Sequence, residues 1–136
     1  MPKVMTCLLI NNKGRILILK RSDKVRTYRG QWGGIAGYVE KNEEPYMTAI
    51  KEIKEEVGVK EDNVTLVKKL DPISFTDIYN NIKYEWEIYP FLFKIDKEEK
   101  IKIDWEHTDY RWILPSEIIN FNTVPLFKEI VTELFP

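Results

Sequence analysis

The sequence predicts an α/β (α+β) fold, with a central mixed β-sheet sandwiched between helices. Three observations lead there. Strand-length apolar runs flank one amphipathic helical segment, and a second amphipathic segment closes the chain, so the order is strands, helix, strands, helix. The first two runs are apolar without strict alternation, the pattern of strands buried on both faces. Each helical segment carries one apolar stripe, which needs a sheet face to cover it.

Taken in order, residues 3–11 and 15–20 are the two continuous apolar runs. The Asn-Asn-Lys-Gly between them suits a hairpin turn. The stretch "RSDKVRTYRGQWGG" is polar, basic and aromatic, which marks a loop able to carry function. "IAGYVE" is a short strand. Residues 45–57 read as a helix: Pro45 suits the first helical position and Gly58 the stop after the last turn. Residues 64–75 and 83–95 read as strands, with "TDIYNN" as the loop joining them. "YRWI" is a further short strand, residues 115–120 a helical turn, and residues 124–134 the last helix.

With 136 residues, the chain suits a single domain covering 1–136 and is too short for two ordinary ones. Its 43% hydrophobic content supports a packed core and argues against disorder. A formal net charge of −1 makes nucleic acid an unfavoured partner, although a local basic patch is not excluded. One cysteine, Cys7, leaves no internal disulfide, and its apolar surroundings point to a buried thiol. No stretch approaches the roughly 20 apolar residues that span a bilayer, and the N-terminus lacks a secretory pattern. The expectation is a cytoplasmic protein without a membrane partner. A homodimer is left open.

The 45–57 helix poses a chemical question. At about 100° per residue, Tyr46, Ile50, Ile53 and Val57 share one face, which should pack on the sheet. Glu52, Glu55 and Glu56, spaced i, i+3, i+4, share a face roughly opposite. Like charges at this spacing repel by a few tenths of a kcal/mol per pair. A hard divalent cation would turn that repulsion into affinity, because Mg²⁺ binds carboxylate oxygens and substrate phosphates together. The plain alternative is a solvated acidic face eased by Lys51 and Lys54.

The residues around the helix favour the cation. Gly37, Glu43, Glu52, Ile53, Glu55, Glu56, Gly58 and Val59 fall on the pattern G-x5-E-x7-R-E-U-x-E-E-x-G-U, with Lys51 in place of the arginine. The segment resembles the Nudix box, and the resemblance extends to "WGGIAGYVE" before it and "EHTDYRW" near the end. It implies a Nudix-like α/β/α sandwich and hydrolysis of a nucleoside diphosphate linked to another group. It also implies Mg²⁺ or Mn²⁺ held by Glu52, Glu55 and Glu56. Gly37 would let the strand turn into the loop, and Glu43 would fix that loop against the helix. Lysine at 51 offers a point charge where arginine offers a planar fork, so a working but less rigid site is expected.

In several enzymes of this family a glutamate in the loop before the matching strand serves as an extra metal ligand or as the general base. Glu106 resembles it in context, against the plain reading of an ordinary loop glutamate; Glu52 acting through a free oxygen, or Glu43, is the other choice for the base. His107, the single histidine, reads as structural. Arg21, Arg26 and Arg29 gather in or beside one loop of a chain that otherwise prefers lysine, so they point to phosphate contact or to surface solubility. Tyr28, Trp32, Phe75 and Trp86 have faces on which a base can stack. Tyr28 and Trp32 are the candidates, while Trp86 and Trp112 lie in strands and read as structural.

Three other functions fit less well. A nucleotide- or protein-binding domain without turnover would not need an intact glutamate set. Removal of pyrophosphate from RNA 5′ ends is disfavoured by the charge. An isoprenoid diphosphate isomerase needs a reactive cysteine near its site, and Cys7 lies in an apolar run.

Overall fold

A computed structural model describes all 136 residues. Eight strands and two α-helices form the fold: β1 (Lys3–Ile10), β2 (Ile16–Arg21), β3 (Trp32–Gly33), β4 (Ile35–Tyr38), α1 (Pro45–Val57), β5 (Val64–Lys69), β6 (Ile73–Tyr79), β7 (Ile82–Ile95), β8 (His107–Ile113) and α2 (Phe127–Leu134). The sheet is mixed. Its spine runs β3-β2-β1-β7-β5, with β4 on β1, β6 on β7 and β8 on β2. The β1–β7 pair is parallel and the others are antiparallel.

The continuous apolar pattern of the first strands has the predicted cause. Successive side chains point to opposite faces. Met5, Cys7, Leu9, Leu17 and Leu19 therefore join Ile50, Ile53 and Val57 of α1 in one core. Leu8, Ile16 and Ile18 join Phe127, Ile130, Val131 and Leu134 of α2 in the other. Burying strands on both faces thus produces the three-layer sandwich. Cys7 lies in the first core.

Local sequence accounts for the ends of α1. Pro45 opens it, and Gly58 closes it in the left-handed conformation (φ 77°), donating its N–H to the Lys54 carbonyl at 3.0 Å.

Several boundaries differ from expectation. The hairpin of β1 and β2 holds at one pair, Ile10 with Ile16, because β4 takes the β1 positions Val4–Cys7 and β2 turns away to β8. The run 64–75 is interrupted at residues 70–72, where Pro72 has no N–H for the ladder. Both resulting strands line the same edge of β7. Thr76–Tyr79, expected as loop, continues β6. Only Asn80 and Asn81 turn, both left-handed (φ 50° and 63°), as a tight two-residue hairpin requires. The last helix starts at Phe127, not 124. Val124 donates its N–H to the Trp32 carbonyl and Thr123 bridges Trp32, which holds the backbone extended.

Candidate active site

The acidic face of α1 meets β4 and the turn that leads into β8. Glu52, Glu55 and Glu56 differ sharply in their surroundings. Glu55 is exposed. Glu52 is half-buried against Gly37, and a Cβ on Gly37 would stand 2.3 Å from the Glu52 Oε2. Only a glycine allows β4 to lie this close to the carboxylate. Glu56 is 1% exposed, and its Oε2 has no hydrogen-bond partner. The helical wheel places Glu56 on the face opposite the core, and the structure corrects this. It sits beside Ile53, at the seam between helix and sheet, while Tyr46, assigned to the apolar face, is 36% exposed and only touches Phe93 from the rim.

Desolvation and mutual repulsion push these acids up. Burial, then Glu55, raises the Glu52 carboxyl to about 8. Burial, then Glu106 and Glu52, holds Glu56 well above the usual carboxylate range. Glu106 is also raised, by burial and then by Asp104, with Arg21 opposing.

Glu106 arrives on a tight turn built by Asp104. One carboxylate oxygen, Asp104 Oδ1, accepts the Glu106 backbone N–H at 3.2 Å and lies 3.2 Å from His107 Nδ1. The other ring nitrogen of His107 faces Glu56 Oε1 at 3.7 Å. His107 is buried between the turn and the helix, and burial lowers its pKa. The Glu106 carbonyl accepts the Ser22 N–H at 2.8 Å. A register shift between Lys20 and Arg21 sets Arg21 opposite His107, which brings the guanidinium to the same place.

Glu43 and Lys51 stand beside this centre. Glu43 accepts the Thr48 hydroxyl at 2.6 Å and Lys51 Nζ at 3.0 Å, and the Thr48 bond, then the Lys51 bond, lowers its pKa. The pair ties the 39–44 loop to α1, the place expected for Glu43. Lys51 also eases the charge of Glu52.

Two cavities open next to the carboxylates. The first, about 220 Å³, is lined by Tyr28, Phe75, Trp86 and Ile88 together with Ala36, Gly37, Arg21 and Glu106. Trp86, expected as structural, stacks between Phe75 and Tyr84 on this wall. Tyr28 takes a left-handed backbone (φ 51°) and donates its hydroxyl to Asp77 at 2.5 Å, which clamps the loop onto β6. Trp32 is placed elsewhere. It is buried in the second core against Phe121, with Arg111 over its ring, and so leaves the set of stacking candidates.

The second cavity, about 580 Å³, takes in Arg21, Lys24, Arg26, Arg29, Tyr84 and Trp105, and shares Arg21, Thr27, Tyr38 and Glu106 with the first. Arg29 spends its Nε on the Val25 carbonyl, and Arg21 its Nε on the Thr27 carbonyl. Tyr38, Tyr84, Asp104 and Trp105 went unnoticed in the sequence. Only the position of Trp105, next to Glu106, offered a signal.

The residues fit a hard divalent cation. The donors are carboxylate oxygens, one of them buried and unpartnered, and in three of the acids repulsion from neighbouring carboxylates adds to burial in raising the pKa, a repulsion that a cation would relieve. No three acidic, histidine or cysteine side chains already converge at ligating distances. No helix is long and apolar enough to cross a membrane.

Comparison with known proteins identifies the fold and the family. The family model for the NUDIX domain matches residues 1–135. The nucleoside triphosphatase NudI of Escherichia coli O139:H28 is 27% identical over 127 residues, covering 88% of this chain and 87% of the relative. Among solved structures, the dihydroneopterin triphosphate pyrophosphohydrolase of E. coli superposes with a TM-score of 0.80 at 19% identity, over 96% of this chain and 92% of that one. The Ap4A hydrolase of C. elegans, in a binary complex, gives 0.79 at 16% identity, over 98% and 95%.

Proposed function

The chain belongs to the Nudix family, and we propose that it hydrolyses a pyrophosphate bond in a nucleoside diphosphate linked to another moiety, a nucleoside triphosphate included. It is a hydrolase acting on phosphoric anhydride bonds. Mg²⁺ or Mn²⁺ is the proposed cofactor, held by Glu52, Glu55 and Glu56. The observation that carries this reading is Glu56: a carboxylate almost wholly buried, with one oxygen unpartnered, and close enough to Glu106 and Glu52 to feel their charge. A buried acid so poorly satisfied is costly to the fold unless a cation completes it.

Bound there, the ion would supply positive charge against the phosphate oxygens. The chain's own residues do the rest. Arg21 and Arg26 approach the phosphate chain from the loop side. Tyr28, with Phe75 and Trp86, offers ring faces to a base in the first cavity. Glu106, shared by the walls of both cavities, takes a proton from the attacking water, and its raised pKa brings it nearer the range where a general base works. Gly37 holds β4 close to Glu52, and Glu43 with Lys51 keeps the preceding loop on α1.

The test is a hydrolysis screen over nucleoside triphosphates, ADP-ribose, dinucleoside polyphosphates and sugar nucleotides, with Mg²⁺ and with excess EDTA. Turnover that needs the metal and is lost in Glu56→Gln supports the assignment. Full turnover in EDTA, or in Glu56→Gln, would place the chemistry elsewhere. Tight nucleotide binding with no turnover of any substrate would favour a binding domain instead.

A further inference from the structure

We propose that the second cavity is a binding site for the distal half of a two-ended substrate, an aromatic base carried on a polyphosphate chain, with Trp105 as its stacking platform. The inference rests on the hydrolase reading above and assigns that site a substrate class, the dinucleoside polyphosphates.

Size is the first argument. Pockets that enclose a whole organic ligand run to about 300–1,000 Å³. The first cavity, about 220 Å³, falls short of this and suits one base with part of its sugar. The second, about 580 Å³, lies within the range. The two meet at Arg21, Thr27, Tyr38 and Glu106, and Gly37, which packs on Glu52, lines the first. A molecule spanning both would therefore lay its central phosphates across the reaction centre.

The second argument is chemical. Arg21, Lys24, Arg26 and Arg29 set four cations against one acid, Glu106, around this cavity, which suits a chain of phosphates beyond the scissile bond. Cations alone would suit any polyanion. The aromatic side chains narrow the choice. Trp105 is 61% exposed and Tyr38 is 55% exposed, and both line the same cavity with Tyr84. An exposed tryptophan beside a cationic wall matches a base stacked on a ring next to bound phosphates. A bare terminal phosphate would leave that ring unused.

The chemistry balances without further reagents. Water oxygen bonds to one phosphorus and the bridging P–O bond breaks. The bridging oxygen leaves on the phosphate of the other nucleotide, and Glu106 receives the water's proton. Both products are nucleotides, one leaving from each cavity.

The experiment compares the Mg²⁺-loaded wild type with Trp105→Ala and Trp105→Phe on diadenosine tetraphosphate, ATP and ADP-ribose. Losing a base–aromatic stack costs about 1–3 kcal/mol, or about 5- to 150-fold at 1.4 kcal/mol per tenfold. Trp105→Ala should lose that much kcat/KM on diadenosine tetraphosphate and stay within about threefold on ATP, with Trp105→Phe restoring most of the loss. A second readout needs no turnover: in EDTA, diadenosine tetraphosphate should quench tryptophan fluorescence in the wild type and less in Trp105→Phe. Equal losses on all three substrates, no loss on any, or quenching unchanged by Trp105→Phe would overturn the inference. If no substrate turns over, the hydrolase reading fails, and the quenching alone still decides the cavity.

Discussion

Replacing Glu56 by glutamine should stabilise the metal-free protein while abolishing its response to Mg²⁺. Glu56 is 1% exposed, Oε2 has no partner, and the nearest side-chain donor, His107 Nε2, lies 3.7 Å from the other oxygen. Leaving a buried polar group unpaired costs about 1–3 kcal/mol, and more for a charged one. Glutamine keeps the shape and removes the charge, so we expect a return of at least about 1 kcal/mol at pH 8 in EDTA. For a chain of this length that corresponds to a Tm rise of roughly 3–5 °C. The pH dependence follows from the raised carboxyl. A folded pKa above the unfolded value gives stability that is fully present below about pH 4.3, the unperturbed glutamate value, and that is lost as pH rises towards the folded pKa. Wild type should therefore weaken from about pH 5 upward relative to Glu56→Gln, and the two should converge in acid. Mg²⁺ reverses the order, because a ligand at 100 times its Kd adds about 2.7 kcal/mol to whichever protein binds it. Thermal melts from pH 4 to 8, with EDTA and with Mg²⁺, give all four curves. A mutant less stable than wild type in EDTA at pH 8, or one gaining as much from Mg²⁺, would refute the reasoning.

Three further outcomes are expected. Glu106→Gln should lower kcat by about 10²–10⁴-fold, the scale for losing a general base, with KM little changed; a loss under about threefold would move the role to Glu52. Lys51→Arg should keep or raise activity, whereas Lys51→Ala, which frees the Glu43 loop and removes a charge beside Glu52, should weaken Mg²⁺ binding in a calorimetric titration; a normal titration would make Lys51 a bystander. Gly37→Ala puts a methyl 2.3 Å from Glu52 Oε2, so the carboxylate must move, and a misplacement near 1 Å can cost about 10²-fold in turnover; steady-state rates near wild type would show that Glu52 has room to spare.

Much of this protein is written along the chain. The two-faced apolar runs require helices above and below the sheet. Pro45 and Gly58 bound α1 through backbone properties that need no tertiary context. The spacing of Glu52, Glu55 and Glu56 follows from the helical period, and the flanking residues carry the family resemblance. Other features depend on residues far apart in sequence, and local pattern is blind to them. The helical wheel places Glu56 among its fellow acids, but β4 and the turn holding His107 close over it, so one glutamate is buried while Glu55 stays in water. Trp32 shares a loop with Tyr28, yet a bridge to Thr123 turns it into the second core, whereas a hydroxyl bond to Asp77, 49 residues away, fixes Tyr28 beside the cleft. The cavity under Trp105 belongs to no single segment. It exists because a register shift at Arg21 and the Asp104 turn bring the basic loop and Glu106 together, and only the folded sheet could decide that meeting.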